Sequence, residues 1–156
     1  MTTKLKVLKH FCNDRRSGLK QDDECDFGEF LFRPFLVLSN SSSGVVPFYF
    51  QPTLGGSDIE SRLTLRGFDD YRFRALDAAM LSVDYRIPVF DPIGAMVFYD
   101  AGNVGNSVDA LSFAHARQDG GVGATLRIQK NVIAQIYLGW GAGRGSHFGY
   151  SFTKFF

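Results

Sequence analysis

Two carboxylates, Asp84 and Asp100, are the residues whose types and spacing point to chemistry. Each falls on the polar side of an alternating stretch. Ser82, Asp84 and Arg86 oppose Ala79, Leu81, Val83, Tyr85 and Ile87; Met96, Phe98 and Asp100 oppose Ala95, Val97 and Tyr99. The two stretches are consecutive and joined by a short segment, so the strands they form are neighbours and the carboxylates approach each other. Like charges held close disfavour each other's ionised form. Such a pair needs a cation with several donors, and an arginine offers five in a planar fork. That is ion-pair chemistry rather than catalysis. His10, His115 and His147 are scattered, with no Ser/His/Asp or Glu/His spacing around them. Gly120-Gly121-Val122-Gly123 is glycine-rich enough for a phosphate loop but opens a strand instead of a helix, and the run from Gly141 to Gly145 has the same shortcoming. Cys12 and Cys25 are not a CxxC pair and have no histidine at ligand spacing. The expectation is a non-enzyme with no catalytic residues, no metal site and no cofactor; a Cys12–Cys25 disulfide stays open.

The elements that must hold these carboxylates read as strands. Alternation of period two runs through 79–87, 95–100, 121–128 and 132–140. Phe30–Leu38 is a further apolar run, with Pro34 marking an edge position or a break. The turn signals lie at 88–94, where Asp91-Pro92 and Gly94 punctuate the chain, and at 129–131. A longer connection is expected at 101–118 and one of intermediate length at 141–146. Residues 45–74 form a long irregular segment with Pro47, Pro52, Gly55, Gly56 and Gly67; a loop of that length in a compact domain is usually functional or disordered. Residues 1–29 are charged, of mixed sign and without period, and read as a poorly ordered N-terminal segment, which leaves 30–156 as one domain.

The last strand indicates the solvent. Phe148, Tyr150, Phe152 and Phe156 fall on one face, and His147, Gly149, Ser151, Thr153 and Phe155 on the other. A strand that faces lipid and anchors at the bilayer interface has a use for such a face. Lys154 breaks the strict alternation, which a lysine snorkelling to headgroups allows. Trp140 suits an outer aromatic girdle or a site packed under a loop. The chain holds 16 Phe and 17 Gly, and its formal net charge of +1, with no basic tract, argues against nucleic acid as a partner. There is no apolar run of about 18 residues, so no transmembrane helix, but barrel strands hide their apolarity in alternation. No secretory leader is visible in Met1 to Lys20. A soluble β-sandwich binding module also alternates. Against it, the polar faces are rich in Gly, Ser and Thr with charges placed singly, as in a barrel lumen.

Three motifs then combine in order. Gly55-Gly56-Ser57 precedes Leu65-Arg66-Gly67-Phe68 within the long segment; Val83-Asp84-Tyr85-Arg86 follows on a strand; and Val97-Phe98-Tyr99-Asp100-Ala101-Gly102-Asn103-Val104 crosses out of the next. With a terminal strand ending in Phe, this set resembles the C-terminal part of the bacterial surface antigen superfamily, the BamA-type and TamA-type outer-membrane assembly barrels. The resemblance covers residues 30–156. It implies an all-β, antiparallel transmembrane β-barrel in the outer membrane, with the long loop inserted into the lumen. It implies that Arg66 of the loop motif (Leu65, Arg66, Gly67, Phe68) pairs with acidic partners on the inner wall, Asp100 and Asp84. The terminal aromatic pattern matches the signal by which such barrels are recognised for assembly. Implied partners are outer-membrane lipid, client β-barrel proteins, and periplasmic or lipoprotein assembly partners. The implied activity is insertion of β-barrel proteins or translocation; the anchoring barrel of a secreted, patatin-like enzyme and a two-partner secretion pore are related alternatives. The expected strands number about six, short of the eight or more that a single-chain bacterial barrel needs, so the chain reads as a partial barrel, a fragment.

Overall fold

A computed structural model describes residues 3–6, 28–39, 46–58, 62–128, 131–142 and 145–152. Among these residues nine strands follow in chain order: β1 (Thr3–Lys6), β2 (Glu29–Val37), β3 (Thr53–Leu54), β4 (Phe73–Arg74), β5 (Asp77–Phe90), β6 (Ile93–Gly105), β7 (Arg117–Ile128), β8 (Asn131–Gly141) and β9 (Ser146–Phe152). Seven of them form one antiparallel sheet in the order β1-β2-β5-β6-β7-β8-β9. The fold is therefore all-β. The apolar run Phe30–Leu38 corresponds to β2, and the five alternating stretches to β5 through β9.

Several boundaries differ from the sequence reading. Thr3–Lys6 lies in the segment read as a poorly ordered tail, yet it pairs with Glu29–Phe32 at the sheet edge. Mixed charge masks a strand this short, because four residues offer too little period to detect. Pro34 does not break β2. It pairs opposite Leu81 beyond the reach of β1, where the strand's far edge is unpaired among the described residues and a missing N–H costs little. The segment 88–94 is mostly strand: β5 runs to Phe90, β6 starts at Ile93, and Asp91-Pro92 alone makes the turn, with a cis peptide bond. The expected loop 101–118 is shorter, because β6 runs on to Gly105 and β7 begins at Arg117. Phe156, Lys154, Cys12, Cys25 and His10 lie outside the described residues.

Alternation gives the sheet two unlike faces. On one, Arg33, Ser82, Asp84, Met96, Phe98, Asp100, Asp119, Thr125, Gln135 and Tyr137 share parity across the paired registers. On the other stand Leu81, Val97, Val122, Ile136, Phe148 and Tyr150, all exposed. Trp140 is on this outer face as well and is exposed.

The core sits between the inner face and the segment 46–74. That segment folds back over the sheet and carries the small hairpin of β3 and β4. Leu54 and Leu65 from the segment, with Phe68, pack on Ala78 and Met80 of β5, flanked by Phe35, Phe73 and Val104. A second cluster joins Met96, Phe98 and Tyr137, with Leu63 against it. The covering segment is thus held by apolar contacts at one end of the sheet. Leu54→Ala would empty a fully buried site and is expected to cost about 2–5 kcal/mol. Limited proteolysis checks it: cleavage within 46–74 should precede loss of the sheet's circular dichroism.

Candidate functional site

The covering segment is shaped to deliver one side chain. At its first bend Gly55 (φ 115°) and Gly56 (φ 55°) take left-handed conformations that L side chains rarely adopt. That bend aligns 53–57 against 63–66. The Gly56 amide donates to the Leu65 carbonyl at 2.8 Å, the Thr64 amide to the Gly56 carbonyl at 2.9 Å, and the Gly55 amide to Thr64 Oγ1 at 2.9 Å. Asp70 Oδ1 accepts from the Ser57 amide at 2.7 Å and ties the far side of the bend to the same ladder. Leu65 and Phe68 point into the apolar cluster, and Arg66 between them points at the sheet.

Arg66 is completely buried. Its Nε donates to Asp100 Oδ2 at 2.7 Å and its Nη2 to Asp100 Oδ1 at 2.7 Å, a bidentate fork. The same Nη2 donates to Asp84 Oδ1 at 2.6 Å and to Ser82 Oγ at 3.1 Å. The Arg66 backbone amide also donates to Asp100 Oδ2, at 3.3 Å. The guanidinium carbon lies 3.7 Å from the centre of the Phe98 ring, so its face is occupied by an aromatic while its Nε–Nη2 edge is occupied by carboxylates; Nη1 is buried with no hydrogen-bond partner among the described residues. Burial by itself would lower the pKa of this group. The hydrogen bonds and charge of Asp100, then of Asp84, outweigh burial and hold it above the ordinary arginine value.

The sheet register explains why one guanidinium reaches both acids. Asp84 stands opposite Phe98, and Asp100 opposite Ser82, so the two carboxylates are diagonal neighbours. Asp84 also receives Arg33 from β2 at 3.2 Å and Arg86 of its own strand at 3.0 Å. Arg33 donates to Ser82 Oγ as well, at 2.9 Å. On its other side Asp100 stands directly opposite Asp119 of β7, and Asp119 is buried with neither carboxylate oxygen in a well-formed hydrogen bond. Facing like charges are unfavourable; of the three arginines here only Arg66 pairs with Asp100, while Arg33 and Arg86 pair with Asp84. The inner face thus gathers three arginines around three aspartates.

Gly67 follows Arg66 at the point of closest approach. A Cβ there would lie 2.6 Å from the Asp119 Cβ, 2.7 Å from the Gly141 nitrogen and 2.8 Å from the Trp140 carbonyl carbon. Only glycine lets the backbone lie flat on β7 and β8. Phe68 then packs edge-on against Phe73, with ring centres 5.1 Å apart.

The structure brings together Leu65, Arg66, Gly67, Phe68, Asp84 and Asp100. Phe148, Tyr150 and Phe152 stand apart from them, on the outer face of β9. Sequence reasoning did not single out Arg33, Phe98 or Asp119. Asp119 shares the parity of Gly121 and Gly123, and extending that alternation two residues back would have found it. Arg33 is hidden by its apolar neighbours Phe32, Pro34 and Phe35. Among the described residues no group of His, Cys, Asp and Glu is arranged to hold a metal ion. Compared with known proteins, the chain matches no protein-family model and no curated protein.

Breaking a buried pair is costly because the partner left behind stays desolvated. Arg66→Ala is therefore expected to cost about 3–5 kcal/mol. In a double-mutant cycle with Asp100→Asn, the losses should be clearly less than additive, read as melting temperature and as protease protection of 46–74. Additive losses would mean the two side chains act separately. Gly67→Ala should expose the same segment to protease while leaving the sheet folded.

Proposed function

We propose that the chain supplies consecutive strands to an outer-membrane β-barrel of the bacterial surface antigen kind, with residues 46–74 as a lumen loop locked to the wall by Arg66. The observation that carries this reading is the inversion of the two faces. The inner face buries polar and charged groups: Ser82, Asp84 and Asp100 are 0 % exposed. The outer face leaves apolar side chains uncovered, with Val97 at 51 %, Val122 at 47 %, Ile136 at 52 % and Phe148 at 64 %. These residues adjoin across strands: Val97 stands opposite Val122, Val122 opposite Leu138, Leu138 opposite Phe148, and Ile136 opposite Tyr150. The result is one apolar band over four strands.

Water-facing monomers rarely leave a band of that extent open. In a sandwich a second sheet would lie about 10 Å above it, and among the described residues nothing covers it. Hydrocarbon is the solvent that favours such a face, with Trp140, Tyr150 and Phe152 suited to the interfaces. Strand length fits as well. β5 through β8 run 14, 13, 12 and 11 residues, enough to span a bilayer when tilted. Among the described residues no helix is long and apolar enough to cross a membrane, which has no bearing on crossing by strands.

The activity this supports is non-catalytic. β9 pairs with β8 along one edge, and its other edge carries no strand among the described residues. A row of free N–H and C=O groups is a template for a further strand. In the proposed barrel that edge meets either the first strand or a strand of a client β-barrel protein, the basis of assisted insertion or translocation. The reading implies outer-membrane lipid, client barrels and periplasmic or lipoprotein assembly partners, and it needs no metal or cofactor.

Fractionation tests the location: the protein should sediment with outer membranes and resist carbonate extraction, and recovery in the soluble fraction would overturn the proposal. Val122→Arg tests the face. On a lipid-facing strand near the midplane it should cost about 2–4 kcal/mol, against about 0.5 kcal/mol or less at a water-exposed site. Urea melts in lipid vesicles separate the two.

A further inference from the structure

At the rim where β7 begins, residues 68–73 of the covering segment lean toward β7 and leave a cavity of about 490 Å³. This lies in the range of small-molecule pockets. Phe68, Arg72, Phe73, Ala116, Arg117 and Ala142 line it. Two of these are cations, and both are held by the same ring. The Arg117 guanidinium lies 4.2 Å from the centre of Phe73, and that of Arg72 lies 5.5 Å from Phe73 and 5.8 Å from Phe68.

The charge around this cavity is not balanced. Arg72 meets Asp69 across a long contact of 3.5 Å, and the Asp69 side chain is 79 % exposed and is shared with His147 at 3.6 Å. Among the described residues Arg117 has no acidic partner; its contact is the face of Phe73. Stacking occupies the face of a guanidinium and leaves its in-plane N–H groups free to donate. Two guanidiniums stacked in this way at one cavity, with one exposed carboxylate on Arg72, give a surplus of positive charge and two forks of donors. A carboxylate has two oxygens and satisfies one fork. A phosphate monoester has three equivalent oxygens and two negative charges, which serve both. Phe68, Ala116 and Ala142 offer an apolar wall to the organic part.

We propose that this cavity binds a phosphate monoester, with its phosphate between Arg72 and Arg117 and its organic group against Phe68, Ala116 and Ala142. Neither arginine belongs to the Arg66 network, although Phe68 of the loop motif is one wall of the cavity, and the proposal stands whether or not the strands cross a membrane. The phosphate belongs to a soluble ester or to a lipid headgroup, and the chemistry is the same for both.

Titration of the folded chain in zwitterionic detergent micelles tests this, with phenyl phosphate as the soluble probe and dioctanoyl phosphatidic acid as the lipid probe. Saturable binding of at least one probe is expected, with benzyl alcohol, which lacks the phosphate, not competing. Tighter binding of phenyl phosphate identifies the soluble source, and tighter binding of phosphatidic acid the lipid source. Arg117→Gln and Arg72→Gln should each weaken binding by about tenfold or more, the loss of a charge-assisted contact. Protease protection of 46–74 should stay unchanged in both variants, which shows that the fold is intact. Absence of saturable binding to both probes would overturn the proposal, as would affinities unaffected by either substitution.

Discussion

A guanidinium withdrawn from water must find its charge balance inside the protein, and this requirement organises the molecule. Arg66 is wholly buried, so its desolvation is offset only where carboxylates meet it in good geometry. The register of β5 on β6 supplies that geometry by setting Asp84 and Asp100 on a diagonal. A slip of one residue between the two strands would turn one of the acids to the opposite face and leave the arginine with half its partners. The ion pair therefore couples a loop conformation to a sheet register, two features that neither backbone specifies alone. A buried ion pair need not add net stability over an apolar core of the same shape. What it does here is penalise every arrangement but one.

The other contacts of the covering segment follow from that anchor. Leu65 and Phe68 flank Arg66 and reach apolar neighbours, so the three residues divide their work between charge and packing. Gly67 has to be small because Arg66 cannot reach the wall unless the backbone also does. Phe98 closes the face of the guanidinium and joins Tyr137 at 5.8 Å in the second apolar cluster, which ties the polar network to the hydrophobic one. The described residues of this long segment are held by the short pair of β3 with β4 and by the ion pair of Arg66.

The strands were the legible part of the sequence, because period two survives whichever face is buried. An apolar run located β2, and alternation located β5 through β9 and put Asp84 and Asp100 on the shared face. What periodicity could not give was the identity of the cation. Arg66 sits in an aperiodic stretch, where nothing local tells an anchored arginine from a solvated one, and it came from the resemblance of the ordered motifs. Strand ends were misjudged where polar or glycine residues continue a strand, as at 101–105 and 117–120, because those residues weaken a hydrophobic pattern without ending the hydrogen-bond ladder. β1 escaped notice for the opposite reason: its pairing depends on β2 and hardly on its own four residues.

The connection between β5 and β6 is two residues long, whereas β6 reaches β7 through eleven residues carrying two short 3-10 turns, Val108–Ala110 and Phe113–His115. The two rims of the sheet are therefore unequal as sites of evolutionary change. Extra residues at Asp91-Pro92 would separate two strands at their tightest join, while extra residues between Gly105 and Arg117 would lengthen a path that already wanders. Lineages descending from such a chain would keep one rim nearly constant and diversify the other. The diversifying rim is also the one beside Arg72 and Arg117, so the part of the molecule most free to vary is the part that borders its unbalanced charge.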